Sequence, residues 1–362
     1  MANRTLYTAG ESIGAYTVDE LVGPGRFCVT YRAHDAFGRT CALKVLLIDT
    51  EAERIVERAG VARVDALRHP NLAAVHGLVD TADVFAVICD YVEGPSLRRW
   101  LESYRPSVDE AIAITRGLVD GVAELHRAGA WHGALCPKSV ALEPRERGVV
   151  VRLTDFGRLR GADLLSERTG RYLAPEVLRG APPSARGDVW SIACVLVELF
   201  TGQGVTEWYD QAHLGTGRPE IAALRARELG VPGPVVSVLE RALAYSVEER
   251  YPDASALSEA LFASAAVRAI LDARPLPAAS LERGVVGLSE VGLAVVRSLG
   301  TGDRRSDLPS VRASASVEAV ALRSYRPQAE VEPPPWTGSL LFAVAGLLAL
   351  FGAVGIWWRV TG

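Results

Sequence analysis

The sequence predicts an α+β fold of two lobes, a strand-rich first and a helical second, followed by a C-terminal transmembrane helix. Three observations carry this. Between Ile13 and Ile48 apolar residues alternate in short runs separated by glycine turns, the pattern of paired strands. Beyond residue 108 the apolar spacing changes to the three-and-four repeat of amphipathic helices. Ser339 to Trp358 is a run of twenty residues without a charge, the length a helix needs to cross about 30 Å of hydrocarbon.

In chain order, residues 1–12 read as an extension, and Met1 to Gly10 contains no apolar run of the kind that leads a secreted chain. From Tyr16 the strand-like runs are YTVDELV, CVTYRAHD and RTCALKVLL, with turns at Gly23-Pro24-Gly25 and Phe37-Gly38. Thr50 to Leu67 has helical spacing with its charges to one side, and VFAVICDYVEG returns to a strand pattern that stops at Gly94. Helical stretches follow at 108–128, 188–201 and 233–245. Strands followed by helices imply two lobes with a cleft between them, and the domain is bounded at 13–265.

Residues 266–338 read as a linker. The run 281–299 holds enough Val and Leu for a helix packed on the domain, while 300–316 is rich in Ser, Arg, Gly and Asp, and EPPPW stiffens the approach to the apolar span. The span itself is 339–358, with Trp336 before it, Trp357 and Trp358 closing it and Arg359 in the tail 359–362, as interfacial anchors stand. It predicts a single-pass membrane anchor with the bulk of the chain on the cytoplasmic side. Ala345, Ala349 and Ala353 share one face, a stripe that permits helix pairing and so leaves a homo-oligomer open.

Composition narrows the classes of function. Apolar residues make up 49% and charged residues 23%, a globular balance. A formal net charge of −4 carries no footprint of nucleic-acid binding. The five cysteines are scattered with no zinc spacing, which fits small buried side chains in a reducing compartment. Of the 39 basic residues only Lys44 and Lys138 are lysines. A lysine retained in so arginine-rich a chain points to a compact charge that a guanidinium cannot supply.

Short motifs occur in a fixed order: Val22-Gly23-Pro24-Gly25, Cys41-Ala42-Leu43-Lys44, His69-Pro70-Asn71, Trp131-His132 with Pro137, Asp155-Phe156-Gly157, Ala174-Pro175-Glu176 and Asp188-Val189-Trp190. Each alone is a weak signal. In this order and spacing they resemble the eukaryotic-type protein kinases, of the serine/threonine kind also found in bacteria, over residues 13–265.

That resemblance implies the bilobed kinase fold, ATP and Mg²⁺ as ligands, and transfer of the γ-phosphate to protein. It assigns Val22, Gly23, Gly25, Thr30, Ala42, Lys44, Tyr91 and Asp155 to nucleotide binding, Asp155 also to the metal. Lys44 would touch the phosphates and pair with a helix glutamate. Counting back from His69 puts that glutamate at Gly60, with Glu57 one turn earlier as its substitute. Cys28 stands at the third loop glycine, Thr30 at the valine over adenine and Ala141 at the leucine beneath it.

The catalytic loop departs furthest from the family. Aligned on His132, Leu135 and Pro137, it places Ala134 at the base, Cys136 at the lysine that steadies the γ-phosphate and Ser139 at the metal-sharing asparagine. Gly133 replaces the arginine that grips a phosphorylated activation loop, and Lys138 falls two positions late. Thr169 and Tyr172 match substrate-docking positions, Ser166 and Thr169 are phosphorylatable, and Glu176 with Arg250 matches a structural ion pair. The pattern points to a membrane-anchored pseudokinase that binds ATP weakly or not at all and signals through protein partners. The alternatives are an active but atypical kinase using another carboxylate, such as Asp163, or a switch that responds to ATP.

Overall fold

A computed structural model of the chain describes residues 6–24, 28–48, 50–146, 148–156, 170–202, 231–264, 267–268, 276–278 and 280–281. The chain divides into two compact units, 1–304 and 305–362; the second, with the apolar span 339–358, lies outside the described residues. Among the described residues no helix is long and apolar enough to cross a membrane.

The first lobe is a six-stranded antiparallel sheet in the order β1-β2-β3-β4-β6-β5. Its strands are β1 (Ser12–Ile13), β2 (Tyr16–Pro24), β3 (Cys28–His34), β4 (Thr40–Leu46), β5 (Val75–Asp80) and β6 (Phe85–Asp90). Alternation along the strands sends Ile13, Val18, Tyr31, Ala33, Cys41, Leu43, Ala86 and Ile88 into one apolar cluster. The opposite face, with Ala42, Lys44 and Leu46, is left for the cleft. Helix α1 (Glu51–Val64) packs across β5 and begins with a capping box, Thr50 and Glu53 each bonding the other's backbone N–H.

The second lobe holds α2 (Leu97–Ser103), α3 (Val108–Arg127), the hairpin β7 (Val140–Arg145) and β8 (Gly148–Leu153), α4 (Pro175–Leu178), α5 (Ala185–Thr201), α6 (Gly233–Ala242) and α7 (Ala254–Phe262). Helix α5 is buried at every position from Gly187 to Leu199, which is why its sequence shows no polar face. A hydrophobic stripe on α3 and the cores of α5, α6 and α7 form one cluster with β7 and β8.

Among the described residues the lobes meet at several places, Gly94 and Asn71 among them. Beyond β6 the chain turns at Gly94 (φ +129°), where a Cβ would collide with the Leu142 carbonyl. Ahead of β5, Asn71 donates its side-chain amide to the Val151 carbonyl and accepts the Leu153 N–H, each at 2.8 Å. The packed domain also runs past residue 265. Leu276, Ser280 and Leu281, in the stretch the sequence suggested as linker, are all buried.

Candidate active site

Strand β4 places the cleft lysine. It lies between β3 and β6, with Lys44 opposite Thr30 on one side and Val87 on the other. Two residues earlier, Ala42 sits between Arg32 and Cys89 on the same face. Lys44 reaches across the cleft to Asp155, Nζ to Oδ1 at 2.6 Å. Burial works against the ammonium charge, but the Asp155 carboxylate more than offsets it, and the lysine pKa is raised. Lys44 is therefore a fixed cation at any physiological pH.

Asp155 is the only non-glycine residue with positive φ (62°) among the described residues. The left-handed region costs an ordinary residue about 1–2 kcal/mol, and such strain persists where surrounding contacts over-determine it. Here the contacts are Lys44 and the Thr154 hydroxyl, which donates to Asp155 Oδ2 at 3.2 Å.

Behind this pair lies a cavity lined by Lys44, Glu57, Val61, Cys89, Asp155 and Phe156, among others. Glu57 is 2% exposed. The count back from His69 points to Gly60, with Glu57 one turn earlier as its substitute; the structure puts Glu57 in the lining of the cavity, and both positions are buried on α1. Cys89 is the residue that sequence reasoning passed over. It borders the cavity as a small side chain at the end of β6, and burial pushes its thiol up to about 11.

The catalytic loop is braced from below by one carboxylate. Asp188, at the start of α5 and 1% exposed, accepts the backbone N–H of His132 at 2.6 Å and of Gly133 at 2.9 Å, and meets the His126 ring at 3.0 Å. Gly133 takes φ +79°, so an arginine in its place would be strained. The His132 ring stands edge-on to Phe156 with centroids 6.4 Å apart. Leu135 is fully buried. The scaffold of the loop is thus intact.

The positions that the resemblance assigns to the chemistry carry other groups. Ala134 presents a methyl group, and its N–H donates to His132 Nδ1 at 3.4 Å. Cys136 is buried, and that burial raises its thiol pKa, so it is neither a cation nor a thiolate at neutral pH. The Ser139 hydroxyl donates to the Cys136 carbonyl at 2.9 Å and accepts the Cys136 N–H at 3.2 Å, closing a 3₁₀ turn over Pro137–Ser139. Lys138 points into solvent.

Of the residues assigned to the nucleotide, Lys44 and Asp155 line the cavity, Gly23 and Thr30 stand beside Lys44 in the sheet register, Ala42 lies two residues before Lys44 on β4, and Tyr91 follows β6. Val22 is 51% exposed. Arg32 stacks over the Tyr91 ring, guanidinium carbon to centroid 5.3 Å. Ala141 on β7 is buried and bridges to Ser96. Gly25, Gly157, Asp163, Ser166 and Thr169 lie outside the described residues.

Two further ion clusters anchor the segment after 170. Arg250, fully buried, makes a two-pronged contact with Glu176 at 2.7 and 2.9 Å and lies over Trp190, the pair the sequence suggested. Tyr172 meets Glu198 of α5 and Arg98 of α2, a cluster the sequence did not show.

The sequence profile of the protein kinase domain family matches residues 16–244. The chain belongs to that family. The kinase domain is similar to serine/threonine-protein kinase PkaA of Streptomyces coelicolor, 32% identical over 238 residues, 62% of this chain and 43% of that protein. It is also similar to serine/threonine-protein kinase PrkC of Bacillus subtilis, 27% identical over 205 residues, 52% of this chain and 31% of that one. The chain thus spans under half the length of these relatives. Among solved structures, a double mutant of the Mycobacterium tuberculosis PknI kinase domain superposes with a TM-score of 0.59 at 24% identity, covering 71% of this chain and 98% of that one; that likeness concerns the fold.

Kinases of this family use ATP and Mg²⁺. The kinase domain's Lys44, the backbone at Gly23 and the apolar pair Ala42 and Ala141 fit a nucleotide. The metal fits less well. Asp155 offers one carboxylate, already bonded to Lys44, and the second position is the committed Ser139 hydroxyl. Among the described residues no group of three His, Cys, Asp or Glu side chains gathers as a metal site.

Proposed function

We propose that this protein is a pseudokinase: a kinase domain that binds nucleotide weakly, transfers phosphate at most very slowly, and signals by holding protein partners. The observation that carries the reading is Ala134, a methyl group on a loop whose backbone is still held by Asp188 as if to present a base. Loss of a general base lowers rates by about 10²–10⁴-fold. Here the γ-phosphate cation and a metal ligand are absent from their positions as well, and positioning plus electrostatics is most of phosphoryl transfer.

The reading includes a membrane anchor at 339–358 with the kinase domain on the cytoplasmic side. Supporting it are the twenty uncharged residues flanked by tryptophans and five cysteines that form no disulfide and are buried, which suits a reducing compartment. Partners are proteins not identified by these features.

The test is γ-phosphate transfer by the full-length chain, with Lys44→Met as the control. Transfer indistinguishable from that of Lys44→Met supports the proposal; robust transfer that Lys44→Met abolishes rejects it. A second reading, an active but atypical kinase, draws on the intact Lys44–Asp155 pair. Ala134→Asp with Cys136→Lys separates the two: a rise of about 10²-fold or more is expected for a pseudokinase, and almost none for an enzyme with its own base.

A further inference from the structure

Helix α1 forms one wall of the cavity behind Lys44, to which it contributes Glu57, Val61 and Val64. Strand β5 contributes Val75 to the same cavity. Where that strand ends, a carboxylate ties the helix to it. Asp80 accepts a hydrogen bond from Arg54 Nη1 at 2.6 Å on one oxygen and from Arg58 Nε at 2.5 Å on the other. Arg54 also donates to the Thr81 carbonyl at 2.6 Å and lies over the Phe85 ring, guanidinium carbon to centroid 5.7 Å. Arg58 also donates to Glu51 at 2.8 Å.

An exposed one-to-one ion pair holds an element only weakly. Here both carboxylate oxygens are engaged, the side chains of Asp80 and Arg54 are only 16% and 17% exposed, and hydrogen bonds between charged groups are the strong ones. The Arg58 hydrogen bond keeps the Asp80 carboxyl below the ordinary carboxylate range, so the clamp is charged at any physiological pH. Arg54 and Arg58 stand one turn apart on α1, and Glu57 is the residue before Arg58. The clamp therefore grips the stretch of helix that enters the cavity. The far end is held separately: Arg63, in the last turn, lies 5.6 Å over the ring of Trp131, the neighbour of His132.

We propose that Asp80 is a positioning residue: through Arg54 and Arg58 it holds α1 inward as a fixed wall of the cavity and keeps Cys89 covered. Loss of its charge lets α1 swing outward about the Arg63 end and uncovers the cavity. The clamp consists of groups of this chain alone, so it works the same way with or without phosphate transfer.

Cysteine alkylation on the full-length chain tests this. Cys89 lines the cavity, Cys41 lies in the apolar cluster on the opposite face of the sheet, and Cys194 is buried in α5. Burial raises the pKa of all three thiols, so each reacts only when an opening exposes it. The parent and Asp80→Asn are treated with iodoacetamide at mildly alkaline pH, and the modified peptides are quantified by mass spectrometry. Expected in Asp80→Asn is alkylation of Cys89 faster by roughly tenfold or more, with Cys41 and Cys194 at parental rates and amide exchange in β5 and β6 unchanged. Arg58→Gln leaves the Arg54 bond in place; it gives the same pattern at smaller amplitude and serves if Asp80→Asn does not fold. Arg116→Gln, which removes the exposed Arg116–Asp120 pair of α3, should leave Cys89 at the parental rate. A Cys89 rate equal to the parent's in Asp80→Asn, a rise shared by Cys41 and Cys194, or a rise accompanied by faster exchange in β5 and β6 overturns the proposal.

Discussion

His132 is buried against Phe156, and burial holds its pKa below the ordinary value of 6.5 despite the nearby Asp188 and Asp155 carboxylates. The folded chain therefore keeps this ring neutral where the unfolded chain would protonate it. A group whose folded pKa is depressed contributes its full stability above the unfolded pKa and loses it as pH falls toward the folded one. Stability should thus decline as pH drops from about 6.5 to 5, a window in which free carboxylates scarcely titrate. Thermal unfolding at pH 7.5 and 5.5 checks this. His132→Phe, of similar bulk, should unfold within about 1 kcal/mol of the parent at pH 7.5 and show a flatter decline; an unchanged slope would assign it to other groups.

At the scale of elements, the turn at Gly94 fixes how β6 leaves the first lobe. Gly94→Ala must adopt φ +129° and push against the Leu142 carbonyl of β7, so a loss of about 2–3 kcal/mol in unfolding free energy is expected. A denaturant midpoint equal to the parent's would show that the turn has another way to settle. Much at this scale was legible in the sequence: β2, β3, β4, β6 and the long helices α1, α3 and α5 fall where alternation or helical spacing indicated. What escaped was short or irregular. Helix α2 has seven residues, too few to display a helical period. Strand β5 contains Gly77 at a register shift, and β7 carries Pro144, both of which break alternation. The sequence left the helix carboxylate between position 60 and Glu57, and the cavity lining includes Glu57. The burial of Leu276, Ser280 and Leu281 escaped because these residues form no repeat. Lys44 and Asp155, which meet at 2.6 Å, were legible because each belongs to a short motif whose residue identities stand in the sequence itself.

For the whole molecule, two measurements decide the remaining parts of the reading. Thermal shift of the full-length chain in millimolar ATP, with Mg²⁺ and with EDTA, is expected to give a small rise that depends little on the metal, since Asp155 is held by Lys44 and Ser139 by Cys136. A rise seen only with Mg²⁺ would restore Asp155 as a working metal ligand, and no rise at all would leave a scaffold without a ligand. Fractionation of cells expressing the chain with and without residues 339–358 should move it from the membrane pellet to the supernatant; recovery in the supernatant with the span intact would remove the anchor from the proposal.

The uneven use of cations has a practical consequence. Of two lysines in 362 residues, Lys44 is locked against Asp155 with its pKa raised, while Lys138 stands in solvent one residue from Ser139. An amine-directed dye should therefore discriminate between them by access and nucleophilicity alone. Used at a pH where lysine reacts, and with label on the chain's α-amine subtracted, it would mount a fluorophore on Lys138 beside the catalytic loop without any engineered handle, turning a quirk of composition into a built-in reporter of what enters the cleft.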